Sequence, residues 1–423
     1  MSGHTIDISE TAGGIPVVVE GPSETQSVAY MIGVATGSRD EREGMYGISH
    51  LLEHTVFRET KTMDSYQMSK EIEGAGGNLN AFTGREMTAF YAITIKETAD
   101  VARRIVGDIV SNPLISAKSA DLERKIVLQE LSMIKSEPDQ YIHDLFQRTI
   151  WRGHELGQDE GGDPAFVEKM TSEDLRAYYD EKYRIPNLSV YAVGADVDET
   201  VAWAEETLDG MSGGRRNIRS APPVPEGRYE FVANDSDHYQ VAMGFPAYGL
   251  SHPDRMAASM LSVMLGAGTS SRLFMEVREK KALAYMIFTG MSNNSDSGSL
   301  AAYMSCTRGN AAKAMESVSK VFGRFLSEGL EKGELERAKR FAKGANIIAM
   351  ESTENRLHRL GVNHMLSGRA ELLEQRLERI DAVTEDDVMR VAEDILAPDR
   401  MNTVVLGKDS RRFRNYDRTK LAF

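Results

Sequence analysis

Two histidines and a glutamate fall within five consecutive residues, in the segment that reads HLLEHTVFRE from His50. On an α-helix, His50 and His54 lie about one turn apart on the same face. Their imidazoles could bind a zinc ion, and Glu53 between them could take a proton from water as oxygen attacks a carbonyl. The order H-x-x-E-H inverts the H-E-x-x-H motif of zinc proteases. The alternative is three polar residues that share a helix face by chance.

A catalytic zinc site of this type needs a third protein ligand, and the predicted helix DLERKIVLQELSMIKSE offers three carboxylates. Glu123, Glu130 and Glu137 recur every seven residues, about two helical turns, on a stripe that also contains apolar residues. A carboxylate among apolar neighbours is costly unless it is paired or bound to a metal. We therefore predict Glu130 as the third ligand and Glu123 as a supporting residue that orients a histidine N–H or the water.

The elements that must position these residues alternate between strands and helices. Strands are predicted at IPVVVE, SVAYMIGVAT, TAFYAITI and NLSVYAVGA. Helices are predicted from Tyr46 to Phe57, at DSYQMSKEIEGAG, from Glu97 to about Val110, from Ser119 to Lys135, and at SEDLRAYYDEKY with Ser172 as its N-cap. Helices that follow pairs of strands predict an α+β fold.

The chain contains two similar halves. TAFYAITIKETADVARRIVGDIVSNP and then ADLERKIVLQEL in the first half match LAAYMSCTRGNAAKAMESVSKVFGRFL and then GELERAKRFAKG in the second. The intervening MSGGRRNIRSAPPVPEG is rich in glycine, proline and arginine and lacks an apolar period, which predicts an exposed linker. We therefore predict two homologous domains, 1–211 and 228–423, joined by a linker at 212–227.

The two halves differ at the candidate site. The second-half helix PDRMAASMLSVMLGAG contains no histidine. Glu123 is matched by Glu336 in the second half, but Glu130 is matched by Lys343. Whatever the two histidines and Glu130 do is therefore done by one half of the chain.

Composition describes an ordinary globular protein large enough for two domains, with 423 residues, of which 41% are hydrophobic and 27% charged. A net charge of -14 argues against binding nucleic acid and is compatible with a solvated acidic surface or a basic substrate. No apolar run reaches the ~18–20 residues that span a bilayer, and MSGHTIDISETAGG lacks the features of a secretory signal. The single cysteine, Cys306, cannot form an intramolecular disulfide. We expect a cytoplasmic protein without a membrane partner.

The motif residues and their spacing resemble those of the M16 metallopeptidases, the pitrilysin type of inverzincin, and within them the short-chain M16B class related to mitochondrial processing peptidase. GISHLLEHTVFRET is similar to the family's G-x-x-H-x-x-E-H-x-x-F-x-x-T helix, and Glu130 and Glu123 stand at the spacing of its ligand and accessory glutamates. The resemblance implies the LuxS/MPP-like metallohydrolase fold, with a mainly antiparallel sheet flanked by helices in each domain. It also implies one Zn²⁺ per chain, bound by His50, His54 and Glu130, with Glu53 activating water.

A further segment, GGNLNAFTGREMTAFY, is similar to the part of the family in which an edge strand pairs with the peptide backbone. The resemblance implies that Asn80, Ala81 and Phe82 contact the substrate. Main-chain pairing of this kind gives affinity with limited demands on the substrate's side chains.

In the second half, TSSRLFMEVREKKALAY resembles the family segment whose arginine and tyrosine complete the active site, and these match Arg278 and Tyr285. A guanidinium and a phenol could bind a substrate carbonyl and stabilise the oxyanion. From the residues alone, an amphipathic helix with a buried tyrosine is the alternative. Ala282 stands where the family usually has glycine, which affects the turn before Tyr285.

The resemblance implies a zinc-dependent endopeptidase that hydrolyses short or unfolded peptides, such as oligopeptides, propeptides or leader peptides, inside a chamber formed by two chains. Because this chain carries both motifs, we expect a homodimer, and a heterodimer with an M16-like partner is the alternative. A non-catalytic scaffold subunit and a peptide-binding protein without hydrolysis are the competing functions.

Overall fold

The computed structural model describes residues 5–21 and 25–423. Its strands are β1 (Thr5–Glu10), β2 (Pro16–Gly21), β3 (Ser27–Val34), β4 (Asn78–Thr83), β5 (Thr88–Ile95), β6 (Leu188–Val193), β7 (Tyr229–Ala233), β8 (His238–Ala247), β9 (Met286–Asn293), β10 (Gly298–Thr307) and β11 (Asn402–Gly407). Its α-helices are α1 (Ile48–Val56), α2 (Ser65–Gly74), α3 (Ala99–Ser111), α4 (Ala117–Ser136), α5 (Pro138–Ile150), α6 (Pro164–Val167), α7 (Ser172–Lys182), α8 (Val197–Leu208), α9 (Arg255–Gly266), α10 (Arg308–Glu328), α11 (Glu334–Ala349), α12 (Thr353–Ser367), α13 (Leu373–Asp381), α14 (Glu385–Ile395) and α15 (Arg411–Arg414). Among these described residues, no helix is both long and apolar enough to cross a membrane.

The strands and helices predicted in the first half are confirmed, with one difference at a helix cap. α7 begins after Thr171, whose side chain accepts a hydrogen bond from the backbone N–H of Asp174, so Ser172 is not the N-cap. The carboxylate of Asp174 in turn accepts from the backbone N–H of Thr171 at 2.9 Å. Thr and Ser are both good caps, and the acidic side chain three residues on favours the first of them.

The chain divides into two compact units, neither of which is continuous in sequence. The first contains Met1–Leu131, Gln158–Ser220 and Ile347–Gln375, and the second contains Ser132–Gly157, Ala221–Asn346 and Arg376–Phe423. The predicted domains were continuous, so the structure differs from them at residues 132–157 and 347–375. The reason lies in how each sheet buries its two faces.

The first unit is built on a six-stranded sheet in the order β1-β2-β6-β3-β5-β4. β2 pairs with β6 in parallel, and the other neighbours are antiparallel. One face packs on helices α1, α3 and α8, and the other packs on α12 through Leu357 and Leu360. β3 is buried from Val28 to Val34 because helices cover it on both sides. α12 comes from the second half of the sequence, which explains the segment 347–375 in this unit.

The second unit is built on a five-stranded sheet in the order β7-β11-β8-β10-β9. β7 pairs with β11 in parallel and the other neighbours are antiparallel. Helices α9, α10 and α14 cover one face, and α5 from the first half of the sequence covers the other through Phe146 and Ile150. The order and directions of these strands repeat β2-β6-β3-β5-β4 of the first unit. The predicted α+β fold with two homologous, mainly antiparallel sheets is therefore confirmed.

Residues 212–228 contain no helix or strand, as the predicted linker requires. The linker is nevertheless not exposed throughout. The guanidinium of Arg219 pairs with Asp40 at 2.7 Å and donates to the backbone oxygen of Glu86 at 2.7 Å. The side-chain amide of Asn217 donates to the backbone oxygen of Ala35 at 2.7 Å. The first part of the linker is thus anchored on the first unit.

Candidate metal centre

α1 begins at a glycine because the chain leaves no room there for a side chain. Gly47 has a left-handed φ of 101°, and a Cβ on it would lie 2.7 Å from a methyl group of Val167 and 2.9 Å from the backbone oxygen of Gly161. The carboxylate of Glu41 accepts hydrogen bonds from the backbone N–H groups of Gly47 at 2.7 Å and Ser49 at 2.9 Å. These bonds satisfy helix donors that have no intrahelical partner, so the start of the helix is fixed.

The three predicted metal ligands come together in the first unit. Nε2 of His50 and Nε2 of His54 lie 3.8 Å and 3.5 Å from Oε2 of Glu130. One ligand atom from each residue lies within 4.8 Å of the other two. Ligands bound about 2.0–2.2 Å from a tetrahedral zinc lie roughly 3.4 Å from one another, so little movement is needed to bind the ion. Within residues 5–21 and 25–423, no other set of His, Cys, Asp or Glu side chains forms such a group.

Glu123, two helical turns before Glu130 on α4, contacts the ring nitrogen of His54 that does not face Glu130. Its Oε2 lies 3.0 Å from Nδ1 of His54. Its Oε1 accepts a hydrogen bond from Nε of Arg58. A His54 ring that donates from Nδ1 presents Nε2 to the metal, and such outer partners fix the orientation of a ligand. Arg58 was not among the predicted site residues, because an arginine after a helix does not by itself indicate a contact with a distant acid.

The charges around the two imidazoles favour a bound cation. Burial, together with the charge on His54, lowers the pKa of His50 to about 4, which leaves it neutral and able to act as a ligand. Burial also lowers the pKa of His54, but hydrogen bonds to Glu123 and Glu130 outweigh it and raise that pKa to about 9. The carboxylates of Glu123 and Glu130 thus favour a proton on His54, and a divalent cation can take the place of that proton. Two imidazoles and one carboxylate also form a donor set used by zinc hydrolases, so the residues present fit zinc.

Glu53, on the same helix as the histidines, is held through one oxygen of its carboxylate. Oγ1 of Thr83 donates a hydrogen bond to Oε2 of Glu53 at 2.7 Å. Burial raises the pKa of Glu53, while the Thr83 hydrogen bond and the charge of His54 act in the opposite direction. A carboxyl group with a raised pKa beside a metal site is suited to accept and release a proton. Thr83 was not among the predicted site residues, although it directly follows the predicted substrate segment.

β4 carries the predicted substrate contacts Asn80, Ala81 and Phe82 and forms one edge of its sheet. It pairs with β5 on one side and with no other strand among the described residues. The backbone N–H and C=O groups on its free edge can therefore pair with an extended chain. Asn80 is exposed, and Ala81 and Phe82 are partly buried. The geometry suits strand addition, and the contact with substrate stays a prediction.

In the second unit, the predicted pair Arg278 and Tyr285 lies together. Arg278 stands in a π-helix, Phe274–Glu279, a rare conformation that is frequent at functional sites. Its guanidinium carbon lies 4.7 Å from the centre of the Phe274 ring and 5.6 Å from that of Tyr285. Tyr285 is 80% exposed, so the alternative of a buried tyrosine is wrong. The phenol is thus open to a ligand, and its role at the active site stays a prediction.

Ala282, where the sequence departs from the M16 pattern, has a left-handed φ of 49°, the one positive value at a non-glycine residue in the described chain. Left-handed backbone costs an L-residue about 1–2 kcal/mol, whereas glycine adopts it freely but loses about 0.5–1 kcal/mol of entropy on folding. Ala282→Gly is therefore expected to raise the free energy of unfolding by about 0.5–1 kcal/mol, measured by urea denaturation. The control is Ala345→Gly, at an exposed position inside α11, which is expected to lower it by about 1 kcal/mol. Destabilisation by both substitutions would contradict strain at Ala282.

Comparison with known proteins identifies both halves of the chain. The family model described as "Insulinase (Peptidase family M16)" matches residues 17–162, and the one described as "Peptidase M16 inactive domain" matches residues 169–341. A protein of Mycobacterium leprae named "Uncharacterized zinc protease" is 33% identical over 407 residues, which cover 93% of this chain and 90% of that protein.

Two solved structures resemble the whole chain. A protease from Helicobacter pylori matches with a TM-score of 0.88 and 20% identity, over 95% of this chain and 99% of its own. A structure from Pseudomonas fluorescens described as a peptidase M16 inactive domain matches with a TM-score of 0.89 and 19% identity, over 96% of this chain and 98% of its own. These likenesses show that the chain shares the fold of both structures. From the sequence matches, the chain belongs to peptidase family M16, as a short member of the single-chain type, and the predicted resemblance is confirmed.

Proposed function

We propose that this chain is a zinc-dependent endopeptidase that hydrolyses short or unfolded peptides. The observation that carries the proposal is the convergence of His50, His54 and Glu130, with ligand atoms within 4.8 Å of one another and with Glu53 beside them on α1. The name of the Mycobacterium leprae relative, a zinc protease, agrees with this donor set. A purely structural cluster has no need for an acid next to two imidazoles and a second acid.

In this proposal, His50, His54 and Glu130 hold one zinc ion per chain. The ion would supply a Lewis acid that lowers the pKa of water and polarises the scissile carbonyl. Glu53 accepts the proton of the attacking water and returns it to the nitrogen of the leaving amine, so one water is consumed for each peptide bond broken. Glu123 keeps His54 in the tautomer whose Nε2 faces the metal.

The substrate backbone lies along the free edge of β4 in this proposal, beside Asn80, Ala81 and Phe82. Selectivity then depends more on an extended conformation than on particular side chains, because strand addition uses main-chain hydrogen bonds. Arg278 and Tyr285 bind the substrate carbonyl and stabilise the oxyanion as the tetrahedral carbon forms. A peptide that is already extended meets these demands, and a folded protein does not.

We place the reaction in a closed chamber formed by two chains in the cytoplasm. A homodimer is sufficient, because each chain carries both the metal ligands and the Arg278–Tyr285 pair. A heterodimer with an M16-like chain is the alternative assembly. The net charge of -14 gives basic peptides a mild advantage as substrates.

The decisive experiment combines metal analysis with digestion of an unstructured peptide library. Purified protein is expected to contain about one zinc per chain, as a site with three protein ligands predicts. It should cleave the library, lose that activity when a chelator removes zinc, and recover it when zinc is restored. A folded protein that contains the same cleavable sequences should remain intact. Bound zinc with no cleavage of any peptide would favour a scaffold subunit or a peptide-binding protein instead.

A further inference from the structure

The carboxylate of Glu53 depends on one neighbour for its orientation. Thr83 donates to Oε2 at 2.7 Å, and no second hydrogen-bond donor reaches this carboxylate from the residues that the structure describes. Oε1 therefore remains available to a water or a substrate. A glutamate side chain has several rotatable bonds, so a single hydrogen bond at its tip decides which way the second oxygen points.

Thr83 itself is held by a rigid turn. It is the last residue of β4, paired with Thr88 of β5, and the next residue closes the hairpin through a hydrogen bond from the N–H of Gly84 to the backbone oxygen of Met87 at 2.8 Å. A neighbouring segment binds this turn through the N–H of Ser38, which donates to the backbone oxygen of Gly84 at 3.2 Å. The hydroxyl that orients Glu53 thus projects from backbone with little freedom.

A buried ion pair adds to the rigidity of the same turn. Arg39 donates its backbone N–H to the oxygen of Arg85 at 2.9 Å. Its guanidinium lies 2.6 Å from the carboxylate of Glu86, and both of these side chains are 1% exposed. A guanidinium nitrogen of Arg219 also lies 3.6 Å from the same oxygen of Glu86, so two cations hold this turn in place.

Thr83 connects Glu53, the proposed base, to β4, the strand proposed to bind the substrate backbone. Side chains alternate along a strand, so Thr83 points to the same face as Ala81, which packs in the core beneath α1. Phe82 points to the opposite face and packs toward α12. A peptide added to the free edge of β4 would be positioned by the same backbone that positions Thr83.

We propose that Thr83 is a positioning residue for the hydrolysis, which holds one oxygen of Glu53 so that the other faces the attacking water. The inference rests on the proposed function, because it assigns Glu53 the role of base. The hydroxyl of Thr83 acts through Glu53 and touches neither the metal ligands nor the reacting atoms. The strand that aligns the scissile bond and the residue that aligns the base then form one rigid element.

The test compares Thr83→Val, which removes the hydroxyl but keeps the shape and the β-branching, with Thr83→Ser, which keeps the hydroxyl. Thr83→Val is expected to lower kcat about 10- to 100-fold, the range for a hydrogen bond to a charged group, with KM nearly unchanged. Thr83→Ser is expected to retain most of the activity. Zinc content and the denaturation midpoint should match wild type in both variants. High-resolution structures of the zinc-loaded proteins should show one orientation of Glu53 in wild type and more than one in Thr83→Val.

The control is Thr98→Val, which removes a hydroxyl that donates to the backbone oxygen of Ala75 at 2.9 Å, away from α1. It should leave kcat unchanged. Wild-type kcat in Thr83→Val, with Glu53→Gln inactive, would overturn the positioning role and leave the proposed function standing. Equal loss in the Val and Ser variants, or loss of zinc from Thr83→Val, would also overturn it, since neither follows from orientation of Glu53. Full activity in Glu53→Gln would instead overturn the proposed function.

Discussion

Glu53→Gln is expected to lower kcat by about 10²- to 10⁴-fold, because a general base usually contributes that much to the rate. The protein is expected to keep its zinc. The amide has nearly the same size and can still accept the hydrogen bond from Thr83, so the local packing is retained. It cannot accept a proton from water. The expected effect therefore falls on the chemical step, and KM and the stoichiometry of zinc are expected to stay close to wild type.

The matched control for this substitution is Glu73→Gln, at an exposed position on α2 in the same unit. It makes the same change of charge without altering the candidate site, so its kcat should equal that of wild type. Turnover is measured with a fluorescent peptide taken from the library digestion, and zinc by atomic emission on the same preparations. Near-wild-type turnover in zinc-loaded Glu53→Gln would remove Glu53 from the mechanism.

The ligands could be predicted because their relation is local. His50 and His54 share a face through helical geometry alone, and Glu123 and Glu130 share a stripe for the same reason. That α1 and α4 approach each other is a tertiary fact, which came only from the family resemblance. Spacing within either helix carries no information about the distance between them.

Thr83 and Arg58 could not be found by the same reasoning. Thr83 contacts Glu53 and Arg58 contacts Glu123, and in both pairs the two residues are far apart in sequence. A threonine in a strand and an arginine after a helix are common, and neither residue type indicates such a contact by itself. The family segments contain both positions, but the motif pattern marks them as variable or leaves them without a role.

The division into domains failed at two helices for a physical reason. Each sheet is apolar on both faces, as the buried run of β3 shows, so helices must cover both faces. α5 and α12 provide the missing layers, each in the unit built mainly from the other half of the sequence. Sequence periodicity predicts that a helix has an apolar face, but it does not predict which sheet that face will cover.

The duplicated fold also shows which residues the architecture does not need. Lys343, which matches Glu130, forms an ion pair with Asp381 at 2.7 Å on the surface of the second unit. The same sheet order therefore forms with a carboxylate or an ammonium at this position. Folding alone therefore does not explain the carboxylate of Glu130, because the second unit forms the same fold without a carboxylate at the matching position.

Glu130→Gln is accordingly expected to weaken zinc binding with little loss of stability. A neutral amide is a poor ligand for zinc, and its oxygen no longer balances the charge of the ion. Loss of a supporting partner alone costs about 10- to 100-fold in metal affinity, so loss of this ligand should cost more than 100-fold. The dissociation constant is measured by competition with a chromophoric chelator at fixed pH, and the free energy of unfolding is measured on the metal-free proteins.

Glu137→Gln provides the comparison that the sequence pattern itself suggests. Glu137 continues the seven-residue series of Glu123 and Glu130, but it is exposed, precedes α5 and makes no capping hydrogen bond with its side chain. Its substitution should leave the zinc dissociation constant unchanged. If Glu130→Gln and Glu137→Gln bound zinc equally well, the ion would be held by other groups, and the convergence of Glu130 with the two imidazoles would have no part in metal binding. Residue type and charge are the same at both positions, so a large difference in zinc affinity would come from the group that Glu130 forms with the two imidazoles.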